Sequence, residues 1–312
     1  MKIVFLDAST VGSIPNLDSI EELGNVTYHQ TTSPDQTAER IRGADVVITN
    51  KVVLNRDLME GSGNLKLVCI AATGMNNVDL KAAEELGISV KNVGGYASDS
   101  VAQHTFAMIF SLMQQISYYD DYVKSGEYSK SPIFTNMEKN FIEIRGKRFG
   151  IIGLGNIGQK VADIADAFEA EVVYHSTSGR NTDQPYQMLK LDELLSTSDF
   201  VSIHAPLNKS TKNLIAYREL ELMKSSAILI NTGRGGIINE ADLATALDEE
   251  LIQGAALDVF AMEPIEPDNP LLSLKFPNKL ILTPHVAWAS VEARTELMEG
   301  VKKNIEEFVG EM

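Results

Sequence analysis

Arg234, Glu263 and His285 are far apart in the sequence, yet each sits just beyond an apolar, strand-like run. AILINT precedes Gly233-Arg234, GAALDV precedes the segment carrying Glu263, and LILTP leads into His285. Parallel strands present their C-terminal ends along one sheet edge, where ligands bind. Three such positions can therefore converge on one reacting group. The side-chain types suit reduction of a 2-oxo acid. A carbonyl carbon that accepts a hydride leaves negative charge on its oxygen, and a histidine is suited to supply the proton near neutral pH. A carboxylate beside the imidazole orients the ring and favours its charged form. A guanidinium grips a substrate carboxylate with two hydrogen bonds and polarises the neighbouring carbonyl.

A hydride needs a carrier, and residues 147–180 read as a place to hold one. KRFGIIGLGNIGQKVADIADAFEAEVVYHSTSGR is a strand, a glycine turn, an alanine-rich helix and a second strand. Gly153-Leu154-Gly155-Asn156-Ile157-Gly158 fits the G-x-G-x-x-G pattern, and the strand before it with the helix after it makes the match specific. Gly153 allows a tight turn, Gly155 lets the backbone approach a pyrophosphate, and Gly158 lets helix and strand pack closely. The helix N-terminus, entered at Asn156 and Ile157, favours the phosphates. An NAD site usually places Asp or Glu at the end of the second strand to bind the ribose hydroxyls. Here the residues are His175, Ser176, Thr177 and Ser178, then Arg180, with no carboxylate before Asp183. Hydroxyls and a nearby cation suit a 2′-phosphate that a carboxylate would repel. The cofactor is therefore expected to be NADP or NAD, with NADP(H) slightly favoured.

These residues need two sets of strands to position them. Residues 2–8, 25–30, 45–50, 66–72 and 88–93 read as strands with helical patterns between them, such as 33–44, where Ser33, Pro34 and Gln36 form a capping signal. A second series covers 147–153, 171–176, 200–205, 227–232, 254–259 and 280–285. A long, mostly helical stretch at about 97–125 and a less regular arm at 126–145 separate the two, and an amphipathic helix spans 290–311. Strand–helix alternation predicts α/β architecture with doubly wound parallel sheets, and 312 residues suffice for two such domains.

Composition narrows the function classes. The formal charge of −16 disfavours nucleic acid and anionic membrane as partners. The single cysteine, Cys69, lies in the apolar run KLVCIAA, so no disulfide forms within the chain and a reducing compartment is expected. No signal-peptide pattern and no apolar run of membrane-spanning length occur, which predicts a soluble, cytoplasmic protein. The histidines are scattered, with no H-E-x-x-H or C-x-x-C, so no metal site is expected.

The chain resembles the D-isomer-specific 2-hydroxyacid dehydrogenases along essentially its whole length. GLGNIG, HAPLNKSTKNLI (204–215), INTGRGGIINEADL (230–243), ALDVFAMEP (256–264) and TPHVAWAS (283–290) carry the resemblance. It implies that Arg234 binds substrate, Glu263 pairs with His285, and His285 donates the proton. It implies that Asp258 lies at the nicotinamide amide and that His204, Ala205 and Pro206 lie beside the adenosine, with Thr232 also among the cofactor-binding residues. It implies two Rossmann-like domains: a flavodoxin-like substrate domain of residues 1–99 and 287–312, and a dinucleotide-binding domain of 100–286. A homodimer built through the inter-domain helix and arm is also implied. Asn50-Lys51, Ala72-Thr73-Gly74, GYASDSVAQHT and His285-Val286-Ala287-Trp288 look most like the glycerate dehydrogenase/hydroxypyruvate reductase branch. The resemblance thus points to small 2-oxo acids such as hydroxypyruvate or glyoxylate, with Thr73, Gly74 and Arg234 as substrate-binding residues; Lys51 reads as a charge at the cleft mouth or a solvated loop lysine, and Trp288 as a pocket wall or a core residue. D-Lactate or a branched D-2-hydroxy acid is the rival substrate, and a non-catalytic dinucleotide sensor is the rival class. His104, on the helix after residue 97, reads as a structural or packing residue.

Overall fold

The computed structural model describes residues 1–311, so residue 312, the last of the expected substrate domain, lies outside the described residues. The chain forms two compact units, Met1–Ala97 with Trp288–Met312, and Ser98–Ala287.

The first unit holds a five-stranded sheet of β1 (Lys2–Phe5), β2 (Asn25–Tyr28), β3 (Val46–Thr49), β4 (Leu67–Ile70) and β5 (Ser89–Asn92). The order is β2-β1-β3-β4-β5 and every pairing is parallel, the flavodoxin-like arrangement. The central strands β3 and β4 are buried at all four positions, which is why VVIT and LVCI show no polar alternation. Helices α1 (Pro34–Ile41), α2 (Arg56–Gly61) and α3 (Leu80–Glu85) connect the strands. At the start of α1 the Ser33 N–H donates to Gln36 Oε1 at 3.2 Å, a bond of the expected capping box. The C-terminal helix, Val291–Glu311, buries Ala293, Leu297, Met298, Val301 and Ile305 against Ile3, Phe5, Val46 and Leu67. Cys69 is fully buried in that core, and burial pushes its thiol up to about 12, so it is an inert core residue.

The second unit opens with α4 (Ser98–Gln114) and α5 (Ile116–Lys124). The sequence reads as mostly helical to about 125, without saying where that stretch is interrupted. The chain breaks at Gln115, which adopts the left-handed conformation (φ 52°) while its side-chain amide donates to the Leu112 carbonyl at 2.7 Å. Neither glycine nor proline marks the break. The seven-stranded sheet contains β6 (Arg148–Ile152), β7 (Glu171–His175), β8 (Gln187–Met188), β9 (Phe200–Ile203), β10 (Ile228–Asn231), β11 (Gly254–Leu257) and β12 (Leu280–Leu282). Its order is β12-β11-β10-β9-β6-β7-β8, again wholly parallel. In order of appearance this is 3-2-1-4-5-6 with a seventh strand added, the doubly wound dinucleotide-binding topology. Helices α6 (Asn156–Ala167), α7 (Leu191–Thr197), α8 (Tyr217–Leu222) and α9 (Glu240–Asp248) make the crossovers. Two apolar clusters cover the sheet, one around Phe106, Phe149 and Phe200, the other around Leu229, Leu247 and Ile203.

Candidate active site

All seven strands of the second unit run the same way, so the residues that follow them lie along one edge. Gly153 follows β6, Ser176 follows β7, His204 follows β9, Thr232 follows β10, Asp258 follows β11 and Thr283 follows β12. The order reverses around β6, which is flanked by β7 and β9. Gly153 has φ +92°, and a Cβ there would lie 2.8 Å from the Ala205 nitrogen, so a glycine is required. A Cβ on Gly158 would lie 2.3 Å from the Gly153 carbonyl oxygen, so the second glycine lets α6 close onto the turn. Gly155, which caps α6, differs: a Cβ there would meet nothing of the protein within 4 Å. The protein itself does not require that glycine, whereas a phosphate brought against the backbone amides of α6 would.

At the end of β7, His175 Nδ1 lies 3.1 Å from the Leu189 carbonyl, so that nitrogen is the N–H donor. Ser176 Oγ is buried and has no hydrogen-bond partner, a hydroxyl left for a group the protein does not supply. Thr177 is half-buried, and Arg180 is exposed with its backbone N–H on Ser178 Oγ at 3.3 Å. The Asn181 side-chain amide donates to the Leu154 carbonyl, tying this loop back to the glycine turn. The donor set fits a nicotinamide dinucleotide.

His204 is bonded at both ring nitrogens, Nε2 to Ser202 Oγ at 2.8 Å and Nδ1 to Thr232 Oγ1 at 3.4 Å. Thr232 Oγ1 lies 3.2 Å from Thr105 Oγ1, whose single hydrogen goes to the Val101 carbonyl at 2.8 Å. Thr232 must then donate to Thr105 and accept from Nδ1–H of His204, which leaves Nε2 to accept from Ser202. Burial pushes the imidazole far below its ordinary value, so the ring is neutral, as this proton order requires. Among the rest of that strand end, Ala205 is buried and Pro206 exposed.

Glu263 and His285 are brought together. His285 Nδ1 is 2.7 Å from Glu263 Oε2, and the side chains are 23% and 32% exposed respectively. The other oxygen, Glu263 Oε1, accepts the Phe260 N–H at 3.0 Å, which fixes the carboxylate. With Nδ1–H committed to Glu263, Nε2 is the nitrogen presented for chemistry. His285 adopts φ +55°, a conformation that costs a non-glycine residue on the order of 1–2 kcal/mol. Its backbone N–H reaches the carbonyls of Asp258 at 2.8 Å and Thr283 at 3.0 Å. The Asp258 carboxylate is fully buried and accepts from Thr283 Oγ1 (2.6 Å), the Val286 N–H (2.9 Å) and the Ala287 N–H (2.9 Å). Asp258 thus holds the turn that carries His285.

Arg234 is half-buried on the loop after β10 and donates from Nη1 to the Gly233 carbonyl at 2.8 Å. The loop is shaped by buried Asn231, whose amide nitrogen donates to the Arg234 carbonyl (2.9 Å) and whose amide oxygen accepts the Gly233 N–H (3.0 Å). A Cβ on Gly235 would sit 1.7 Å from the Phe260 oxygen, so this glycine presses the Arg234 loop against the start of the Glu263 loop. Glu240 secures the same loop by accepting from the Ala261 N–H and the Asn269 side chain, both at 2.6 Å. Sequence reasoning singled out neither Asn231, Gly235 nor Glu240 for this role. Their signal is present only as unexplained glycine, asparagine and glutamate positions of INTGRGGIINE.

The remaining candidates lie in the first unit. Lys51 is exposed beside a cavity of about 690 Å³, and its backbone N–H donates to Asp7 Oδ2 at 2.7 Å. Thr73 Oγ1 donates to the Val93 carbonyl at 3.2 Å, its own carbonyl accepts from Asn92 at 2.7 Å, and Gly74 follows it after β4. Trp288 is partly buried against the core and meets Tyr96 edge-on, with centroids 6.3 Å apart. Among the described residues no group of three or more His, Cys, Asp or Glu is arranged to hold a metal, and no helix is long and apolar enough to cross a membrane.

A doubly wound sheet with this glycine turn, together with a histidine–carboxylate pair on the same edge, defines the class of dinucleotide-dependent oxidoreductases. Residues 106–287 match the family model for the D-isomer specific 2-hydroxyacid dehydrogenase NAD binding domain. A glycerate dehydrogenase of Methylorubrum extorquens is 37% identical, over 99% of this chain and 96% of that protein. A hydroxypyruvate reductase of Blautia hydrogenotrophica is 36% identical, over 99% of this chain and 97% of that one. Among solved structures, an acyclic imino acid reductase in complex with NADPH and D-Arg superposes with a TM-score of 0.88 at 31% identity, covering 100% of this chain and 98% of that one. The chain belongs to the D-isomer-specific 2-hydroxyacid dehydrogenase family. It is a nicotinamide-dependent oxidoreductase that acts on 2-hydroxy acids.

Proposed function

We propose that the protein reduces small 2-oxo acids, hydroxypyruvate or glyoxylate foremost, with Arg234, Glu263 and His285 as its catalytic residues. The observation that carries this reading is the 2.7 Å pair of His285 and Glu263, set on the same sheet edge as the glycine turn. The reduced nicotinamide supplies the hydride. Arg234 holds the substrate carboxylate through its fork of N–H donors and polarises the adjacent carbonyl. His285, charged and with Nδ1–H on Glu263, gives the proton on Nε2 to the oxygen that develops negative charge. The ring is left neutral, with its remaining hydrogen still directed at Glu263, so the tautomer is right for the reverse reaction. Lys51, Thr73, Gly74 and Trp288 are the proposed substrate-binding residues of the first unit, which is read as the substrate domain, with Ser98–Ala287 read as the cofactor domain. Gly153, Gly155, Asn156, Ile157 and Gly158 hold the pyrophosphate. His204, Ala205, Pro206, Thr232 and Asp258 line the rest of the dinucleotide.

NADPH is the favoured carrier. Ser176 Oγ has no partner, Thr177 and Arg180 are close in sequence, and no carboxylate stands at the strand end. Purified protein mixed with NADH or NADPH and a panel of hydroxypyruvate, glyoxylate, pyruvate, phenylpyruvate and 2-oxoisocaproate tests both halves of the reading. The expected result is turnover of the small polar acids, with a higher kcat/KM for NADPH than for NADH. A strong NADH preference discards the phosphate site and keeps the enzyme. Turnover of pyruvate or the bulkier acids alone selects the lactate or branched-acid reading. Cofactor binding without turnover selects a dinucleotide sensor.

The working form is a cytoplasmic homodimer. Along α5 and the arm that follows it, Ile116, Phe134, Met137 and Phe141 are each more than half exposed, with Phe134 at 89%. Apolar side chains concentrated on one segment mark an interaction surface. Light scattering is expected to give about twice the chain mass of 34.2 kDa, and Phe134→Asp to shift that mass toward the monomer. A wild-type mass of one chain overturns the assignment.

A further inference from the structure

His104 lies on α4, nearly two turns beyond the start of the second unit, and it reaches the strand edge that carries the proposed proton donor. Its Nε2 is 3.1 Å from Thr283 Oγ1 and 3.7 Å from Asp258 Oδ1. Thr283 has one hydroxyl hydrogen, and the 2.6 Å contact to Asp258 Oδ1 takes it. Thr283 must therefore accept from His104, which fixes Nε2 as an N–H donor. The order runs from His104 to Thr283 to Asp258, and the Asp258 carboxylate accepts the backbone N–H groups of Val286 and Ala287. A second contact from the same helix, Ser100 Oγ to the Ala287 carbonyl at 2.7 Å, grips the far side of the turn. His285 sits between these holds in a left-handed conformation that a histidine adopts only when its surroundings impose it.

We propose that His104 is a positioning residue for His285, acting through Thr283 and Asp258 to keep the 283–287 turn in the geometry that aims Nε2. Asp258 is the charged group beside it, 1% exposed at the side chain, and Thr283 and Ser100 are the neutral partners on that face of α4. Without the Nε2–H donor, Thr283 is free to turn its hydroxyl away, Asp258 loses a fixed partner, and the turn relaxes. A small misplacement of a reacting group slows chemistry more than it weakens ground-state binding. His104 touches neither acid nor nicotinamide in this scheme. The inference rests on the reading of His285 as proton donor.

The test uses the full-length enzyme with NADPH and the best 2-oxo acid of the panel. His104→Leu is expected to lower kcat about tenfold with KM for the acid and cofactor affinity little changed. His104→Gln, which keeps a side-chain N–H donor, is expected to recover most of the rate. Thr283→Val is expected to match His104→Leu, and the double variant to be no slower than either single one, because all three break the same link. Should His104→Leu fail to fold, the Gln variant and the Thr283→Val comparison carry the test. Wild-type kcat in His104→Leu, additive losses in the double variant, or a Gln variant as slow as the Leu one overturns the proposal. His285→Ala is assayed alongside. If it abolishes turnover while His104→Leu is normal, only the positioning role fails. If it retains turnover, the proton-donor reading falls and the positioning role with it.

Discussion

His285→Ala lowers kcat by about 10²–10⁴-fold, the range that positioned proton transfer contributes, and leaves cofactor binding intact. The prediction follows from how the imidazole is held. Nδ1 is committed to Glu263 at 2.7 Å, and Glu263 is itself fixed by the Phe260 amide. The backbone of His285 is pinned to the Asp258 and Thr283 carbonyls. The proton is therefore assigned to Nε2, and alanine removes it without disturbing the glycine turn or the end of β7. Steady-state kcat together with a fluorescence titration of NADPH reads both halves. Unchanged turnover refutes the assigned donor, whereas lost turnover with lost cofactor binding points to a damaged fold.

Arg234→Gln is expected to lower kcat/KM for the 2-oxo acid by about 10²–10⁴-fold. Two charge-assisted hydrogen bonds to a carboxylate, at roughly 1.5–3 kcal/mol each, set that scale. The loop should survive the change, because Asn231 holds it through the Arg234 carbonyl and the Gly233 N–H, neither of which depends on the guanidinium. Arg234→Lys keeps the charge but not the planar fork, so only part of the loss should return. KM for the acid should rise in both variants while KM for the cofactor stays put. Equal losses for an uncharged ketone and for a 2-oxo acid would show that Arg234 does not read the carboxylate.

Much of this architecture is legible in the residues. Fully buried parallel strands are short apolar runs, and VVIT, LVCI and ILIN announce themselves. The glycine turn is legible because close approach removes alternatives at Gly153 and Gly158. The pairing of Glu263 with His285, two of the three proposed catalytic residues, is foreshadowed because the strands before them are legible. What stays hidden has a physical reason in each case. β8 has two residues, both exposed, and no periodicity can appear over that length. The α4–α5 break falls on Gln115, where a side-chain bond to the Leu112 carbonyl accompanies a left-handed residue that composition does not flag. His104 reads as a packing residue because its partners, Thr283 and Asp258, are 179 and 154 positions away in sequence. Asn231, Gly235 and Glu240 are hidden likewise, since their work lies in contacts between loops that no local pattern encodes.

The interrupted first unit also dictates an order of events during synthesis. Domains ordinarily fold from the N-terminus as the chain emerges. Here β1–β5 emerge before Ser98–Ala287, but five core side chains that cover them, Ala293, Leu297, Met298, Val301 and Ile305, are made only after it. Ser98–Ala287 is contiguous and has all its strands before that helix appears. The nucleotide-binding unit is therefore able to close while the first sheet is still waiting with an uncovered apolar face. A nascent chain stalled before residue 291 should hold a protease-resistant second unit and a protease-sensitive first one, so this molecule matures from its middle outward.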